Sequence, residues 1–421
     1  MSVWRRAEGT GYVHGPRGWT SLACAVVVLA AFPVGAADWP QFLGPNRDNR
    51  SSETGLLQRW PEGGLPKLWE ARVGKGFSGI AVVGDRAYTM FNRSPHVVLA
   101  CFDIADGKEL WAVPVEPEYR NNKVVENWGP RATPTIDGGR VYAYGPTGVL
   151  MVVDAASGRL VLRRELLKEF GGKTSEWGMA CSPLIDGDRL FLTVGGKGAA
   201  FCCLDKNDGR VLWKAGTHKI GYVSPMRVDV GGRPQVIFAS VDRYFGLDAS
   251  SGEVRWSLPF KCDYDCNIPT PVVRGDEVFV SCFYAHKCLL LKMRPEGPRT
   301  VWESDVLCNY LSNSVLVDGF LYGFNKKDLK CVEWATGKQR WVADKHRRLF
   351  QGSLTYADGR LYVLSERGDL SLVAARPDRI EVLGEMPGVL GRRCWTAPTV
   401  AQGRLFVRDE EKLLCFDVRA R

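Results

Sequence analysis

Along most of this chain, short apolar runs alternate in period two with polar residues, and glycine-containing turns separate them. LACFDIADGKELW (99–111) is typical, with an apolar run, an aspartate, an Asp-Gly turn and a closing tryptophan. It returns as LMVVDAASGRLVL (150–162), FCCLDKNDGRVLW (201–213), YFGLDASSGEVRW (244–256) and LKCVEWATGKQRW (329–341). Between these copies stand stretches such as TPTIDGGRVYAY (133–144), SPLIDGDRLFLT (182–193) and TPVVRGDEVFVS (270–281). Two apolar runs around a tight turn predict an antiparallel hairpin.

Taking the proline of the second stretch as a marker gives Ile80, Pro134, Pro183, Pro225, Pro271, Ser314, Leu354 and Pro398, which are 40 to 54 residues apart. Each unit then holds four strands, and none contains a convincing amphipathic helix. The pattern predicts an all-β chain, an eight-bladed β-propeller of four-stranded antiparallel blades. The last unit stops at LLCFDVRAR (413–421), without a fourth strand or tryptophan, while LPKLWEARV (65–73) offers both at the other terminus. Strand exchange between the termini is therefore expected to close the ring and remove its edges. The domain reading is a signal peptide over 1–37, an N-terminal extension over 38–64 and a single propeller over 65–421.

The repeated residues have structural work. Glycine in the Asp106-Gly107, Ser157-Gly158, Asp208-Gly209, Ser251-Gly252 and Thr336-Gly337 turns can take positive φ without a Cβ clash. The aspartate four positions earlier is expected to accept turn amides. Trp69, Trp111, Trp213, Trp256, Trp302 and Trp341 are expected to bury between blades, each contributing about 2 kcal/mol or more.

Composition refines this picture. The formal net charge is +9 with no run of five like charges, which disfavours nucleic acid as a partner. Arg5, Arg6 and Arg17 precede LACAVVVLAAFPV (22–34) and small residues, the form of a cleaved export signal. Thirteen apolar residues fall short of the roughly 20 a membrane span requires. Export to the periplasm or cell envelope follows, as a monomer with no span in the mature chain. Twelve cysteines remain beyond Cys24. Cys101, Cys202, Cys331 and Cys415 stand at apolar repeat positions and read as core. Cys262 with Cys266, and Cys282 with Cys288, are placed to bridge locally.

The D-x-x-x-G-x-x-x-W sentence resembles the tryptophan-docking repeats of the pyrroloquinoline-quinone (PQQ) type β-propeller superfamily over roughly residues 65–421. It fades at LLKMRPEGPRTVW and at SLVAARPDRIEVL. The resemblance implies either a quinone-dependent dehydrogenase or a non-enzymatic scaffold, such as the lipoprotein that assists outer-membrane barrel assembly. In the dehydrogenases, Glu, Asn and Asp oxygens hold calcium, and the quinone lies between a tryptophan and a vicinal disulfide. Cys202-Cys203 falls inside a strand, where consecutive side chains point to opposite faces, so that role is not carried over.

Non-repeating words precede each inner strand, among them VENWGPRA (125–132), SEWGMAC (175–181), DYDCNI (263–268), CNYLSN (308–313) and GRRCW (391–395). Symmetry would gather Trp128, Arg131, Glu176, Trp177, Tyr222, Asn267, Asn309, Tyr310, Arg347, Arg348, Gln351, Arg393 and Trp395 around one tunnel mouth. Aromatics with arginines suit a planar or anionic ligand, or a protein partner. Glu176 with Asn267 or Asn309 is the candidate calcium set. The dispersed histidines form no catalytic constellation. The leading expectation is a non-catalytic binding or scaffold module without a cofactor. The alternatives are a PQQ- and calcium-dependent oxidoreductase and a cell-envelope polysaccharide binder.

Overall fold

The structure, a computed structural model, describes Gly11 and residues 37–120, 128–343, 346 and 348–420. Apart from Gly11 and Ala37, the expected signal peptide lies outside them. From residue 37 onward the chain is the expected all-β, eight-bladed propeller. Ala81–Val83, Arg86–Arg93, His96–Asp103 and Glu109–Pro117 form blade one. Blades two to six repeat that order over 135–165, 184–215, 226–259, 272–304 and 315–342. Blade seven comprises Gly352–Ala357, Arg360–Ser365, Leu370–Ala374 and Val382–Met386. Blade eight takes Thr399–Ala401, Arg404–Arg408 and Lys412–Asp417 from the C-terminus and Lys67–Arg72 from the N-terminus, with Trp69 opposite Cys415. Terminal strand exchange thus closes the ring.

The Thr-Pro and Ser-Pro marker has a physical role. Gly79 N–H donates to Thr133 Oγ1 (3.1 Å), Thr133 N–H to Ser182 Oγ (2.9 Å) and Ser182 N–H to Ser224 Oγ (3.0 Å). Ser224 N–H donates to Thr270 Oγ1 (3.3 Å) and Thr270 N–H to the Asn313 side-chain oxygen (2.7 Å). From blade one to blade six the residue before the marker therefore ties its blade to the next around the tunnel, satisfying buried backbone donors.

At the opposite end of each blade the repeated turn closes as its residues dictate. Asp154, Asp205 and Asp248 accept turn amides through Oδ1; the Ser157 and Ser250 hydroxyls, with those amides, hold Asp154 and Asp248 below the usual carboxylate range, and the Asn207 amide does so for Asp205. The tryptophan of one blade lies on the turn glycine of the next. A Cβ on Gly107, Gly158 or Gly252 would come within 2.9 Å of Trp69, Trp111 or Trp213 respectively. Their indole N–H groups donate to Ile104, Ala155 and Ala249 carbonyls. Trp302 and Trp341 donate to the Trp334 and Arg376 carbonyls. Blade five lacks a matching turn, and Trp256 donates instead to Gln235 of its own blade (2.8 Å). In blade two Leu162 takes the tryptophan position and covers Gly209.

Blade seven shows what completes the frame where the repeat fails. Gly384 pairs with Leu372 as Trp111 pairs with Cys101, so glycine occupies the tryptophan position. Trp60, from the segment preceding the propeller strands, lies directly over it: a Cβ on Gly384 would meet the Trp60 side chain at 2.5 Å. Trp60 is 5% exposed and sits 6.5 Å from Tyr362, much as Trp111 sits 5.9 Å from Tyr88. The sheet lends a ring from a different part of the chain.

The same segment crosses one end of the tunnel. Trp39 bridges to Val82 of blade one, Pro40 accepts the Ile136 N–H of blade two, and Arg47 donates to the Ser182 and Pro183 carbonyls of blade three. Asn49 bonds Leu354 and Thr355 of blade seven, and Arg50 reaches the Leu316 carbonyl of blade six (3.2 Å). Arg50–Ser51 adds a parallel fifth strand on Tyr356 and Ala357. Residues 39–50 thus cross one end of the tunnel, and the chain runs on along blades seven and eight, where Leu57 N–H donates to Val418 and Trp60 N–H to Leu383.

The local bridges expected from sequence are corrected. All twelve described cysteines carry free, buried thiols, and Cys202 and Cys203 lie fully buried in the strand Ala199–Asp205. Burial pushes the Cys203 thiol up to about 12, a packing residue and no nucleophile.

Candidate functional site

With the N-terminal segment crossing one end, the tunnel holds a cavity of about 570 Å³ lined by that segment and by the non-repeating loops. Ser224, Thr270 and Asn313 of the hydrogen-bonded series just described line it together with Ser353, and so do Phe42 and Asn49 of the crossing segment. Its upper wall is aromatic: Phe77, Trp177, Tyr222, Tyr264, Tyr284, Tyr310 and Trp395.

Two clusters organise that wall. On one side, the Arg131 guanidinium lies 5.4 Å over the Phe77 ring, and Phe77 lies 4.6 Å from Trp395. Arg131 Nη1 also donates to the Gly129 carbonyl (3.1 Å). Burial lowers the Arg131 guanidinium to about 10, and it stays charged at neutral pH. On the other side, Tyr284 and Tyr310 lie 5.6 Å apart with hydroxyls at 3.3 Å, and Tyr264 packs at 6.0 Å against Tyr284. Tyr264 is 81% exposed with φ 56°, so the Asp263–Asp265 turn holds a large ring out at the lip. Lys326 Nζ caps this cluster, 4.3 Å from the Phe283 ring centroid. Charge beside aromatic faces is a recognition surface for planar or anionic groups.

Of the residues chosen from sequence, Arg131, Glu176, Trp177, Tyr222, Tyr310 and Trp395 line the cavity. Trp128 stands outside it, between Lys75 (4.7 Å) and Arg120 (5.0 Å). Gln351 binds the Glu366 carboxylate, and Arg393 lies 3.7 Å from Glu410 at the rim. Arg348 pairs with Glu385 on the outer side, and Arg347 lies outside the described residues. Asn267 and Asn309 are turned into the blades. Asn267 accepts the Tyr244 hydroxyl and donates to the Ser240 carbonyl; Asn309 accepts Ser314 and donates to the Phe324 carbonyl. Position before an inner strand brought these two near the tunnel, but a buried amide settles where its donors and acceptor are met.

Phe77 and Tyr264 escaped the sequence reading although GKGF and DYDCNI flank inner strands, where an unpaired aromatic was the available signal. Phe42, Asn49 and Tyr284 carried no repeat signal at all.

The donor set speaks against calcium here. Glu176 is the only carboxylate among the lining residues, while the Asn49, Asn267, Asn309 and Asn313 side-chain oxygens already accept protein hydrogen bonds. Among the described residues, no three His, Cys, Asp or Glu side chains converge as a metal site. A calcium ion asks for six to eight oxygens, and these residues do not fit it.

Residues 95–343 and 325–419 match the family described as outer membrane protein assembly factor BamB. The chain belongs to this family. Solved structures similar to this BamB-family propeller include BamB from Moraxella catarrhalis, at 16% identity and TM-score 0.61, covering 84% of this chain and 99% of that one. The quinohemoprotein alcohol dehydrogenase of Comamonas testosteroni is similar at 11% identity and TM-score 0.67, covering 91% and 80%. A europium-containing methanol dehydrogenase is similar at 12% identity and TM-score 0.66, covering 90% and 89%. At these identities the likeness is one of fold, shared by scaffold and enzyme alike. No curated protein matches the chain. No helix among the described residues is long and apolar enough to cross a membrane.

Proposed function

We propose that this BamB-family propeller is an exported, non-catalytic binding module of the periplasm or cell envelope. Its ligand, or the side chains of a protein partner, would present a planar face and negative charge to the tunnel mouth. The observation that carries this reading is the cavity, crossed at one end by the chain's own segment and walled by seven aromatic rings of the blade loops with Arg131 among them. Rings of the ligand would stack on Trp177, Tyr222 and Tyr310, and its anionic group would face Arg131. Concave, mostly apolar sites with a few placed polar groups are where ligands bind. The family's description supports a protein partner, and an acidic polysaccharide would use the same rings.

The test is a tryptophan-fluorescence titration of the purified mature chain with three probes: an acidic aromatic peptide, a uronic-acid oligosaccharide, and PQQ with calcium. Saturable binding of the peptide or the oligosaccharide, lost in Trp177→Ala and Tyr264→Ala, supports the proposal. Dye reduction by alcohols or sugars in the presence of PQQ and calcium contradicts it and makes the chain an oxidoreductase.

A further inference from the structure

Where the continuous described chain starts, the Ala37 N–H donates to Glu53 Oε1 at 2.8 Å, and Glu53 Oε2 accepts the Gly403 N–H at 3.2 Å. Glu53 is 1% exposed, and among the described residues no lysine, arginine or histidine pairs with it. A carboxylate taken out of water without a cation is strongly destabilising, and two neutral amides do not offset that cost. Ala37 is fixed on its other side as well. Its carbonyl accepts the Gln402 N–H at 3.3 Å, and Asp38 Oδ1 accepts the Gly84 N–H at 2.9 Å and the Gln402 side-chain amide at 2.8 Å. Gln402 and Gly403, both at positive φ, make the tight turn between Thr399–Ala401 and Arg404–Arg408 of blade eight. One turn amide thus holds the Ala37 carbonyl and the next holds Glu53. The chain is positioned atom by atom at residue 37, where the sequence runs through the small residues Gly35, Ala36 and Ala37.

We propose that the export signal is cut off between Ala36 and Ala37, and that the new α-ammonium of Ala37 is the counter-ion of Glu53. An endopeptidase of the export machinery adds water across that amide. The C–N bond breaks, Ala36 leaves as a carboxylate with the water's oxygen, and both of the water's protons end on the Ala37 nitrogen. The neutral donor 2.8 Å from Glu53 Oε1 becomes a cation, and the buried carboxylate gains a charge-assisted hydrogen bond. The sequence permits a cut after Ala36 or after Ala37, because small residues precede both bonds. Only the first keeps the nitrogen that reaches Glu53 and the carbonyl that accepts Gln402. The mature chain then begins one residue before the boundary expected from sequence. Ala37 and Glu53 flank the segment that crosses the tunnel, so the ion pair fastens both its ends to the blade-eight turn. This inference rests on the export reading above and is independent of the ligand.

The test expresses the full chain with a C-terminal tag in a Gram-negative host, separates periplasm from cytoplasm, and reads the N-terminal peptide by mass spectrometry. The expected result is a periplasmic chain that begins at Ala37. A periplasmic chain that begins at Asp38 or elsewhere overturns this proposal alone, whereas an uncleaved chain confined to the cytoplasm overturns the export reading with it. The ion pair is read separately in leaderless chains that begin either at Ala37 or with a Gly-Ser extension ahead of it, each with and without Glu53→Gln. The extension should lower Tm by about 4 °C in the wild-type background and by less than about 1 °C in the Glu53→Gln background. Equal shifts in the two backgrounds overturn the counter-ion role. If Glu53→Gln does not fold, Nα-acetylation of wild-type Ala37 takes its place: the same loss of about 4 °C supports the pair, and an unchanged Tm overturns it.

Discussion

In the N-terminal segment, Arg47 and Asn49 direct their side-chain donors onto carbonyls of blades three and seven, and Trp60 fills the slot that blade seven leaves empty. At the mouth, Trp177 and Tyr310 are only partly buried, and Tyr264 stands out at the lip. Both regions are non-repeating, both touch several blades, and both carry aromatics and arginines. What separates them is burial. Arg47, Asn49 and Trp60 are buried against the blades, whereas Trp177, Tyr264 and Tyr310 leave ring faces open. Departure from a repeat therefore has two meanings, repair of the frame or specialisation of a face, and burial tells them apart.

The largest effect that could break this comparison comes from truncation. Deleting residues 38–73 removes the closing strand and Trp69, and cooperative unfolding in urea should be lost. Deleting 38–60 keeps the ring, so the transition should remain cooperative but move to lower urea. Identical behaviour would mean that Lys67–Arg72 does not close the propeller.

Next is Trp60→Ala, which leaves a cavity over Gly384 and should cost about 3–5 kcal/mol in a urea titration. A loss within about 0.5 kcal/mol would show that the ring lies on the blade without supporting it.

Glu116 sharpens the frame's own electrostatics. It is 3% exposed, between blades one and two, and accepts from the Thr147 amide and hydroxyl. Burial pushes its carboxyl from 4.5 up to about 7. Between those values the folded chain holds a proton that the unfolded chain has released. Stability should therefore fall by about 3 kcal/mol as pH rises through that window. Glu116→Gln should flatten this slope. An unchanged pH profile would locate the dependence elsewhere.

The smallest expected effects belong to the mouth. Arg393→Ala and Trp177→Ala should each change unfolding free energy by about 0.5–1 kcal/mol at most, because the rim ion pair is partly solvated and the ring half-exposed. A loss as large as that of Trp60→Ala would make Trp177 a packing residue.

The frame was legible because it repeats: the period, the turn glycines and the missing tryptophan after LLCFDVRAR led to eight blades and an exchanged strand. Trp60 was illegible for the opposite reason, since a single ring supplied from outside a repeat leaves no periodic trace. The mouth was legible as a place, through SEWGMAC and GRRCW, but not as a set of side chains. Asn267 and Tyr264 stand three residues apart in one loop, yet the amide turns inward to Tyr244 and Ser240 while the ring turns out. Sequence spacing likewise suggested a bridge between Cys262 and Cys266, yet both carry free, buried thiols.

The most direct measurement of the contrast between a packed N-terminal segment and an open mouth is native-state hydrogen exchange, read amide by amide. Trp39, Val82 and Ile136 donate their amides between that segment and blades one and two, at 2.7–2.8 Å. They should exchange only through global unfolding, while amides of the mouth turns around Tyr264 and Tyr310 should exchange orders of magnitude faster. Exchange of these amides as fast as the mouth turns would contradict that packing, and with it the crossed cavity on which the functional reading rests.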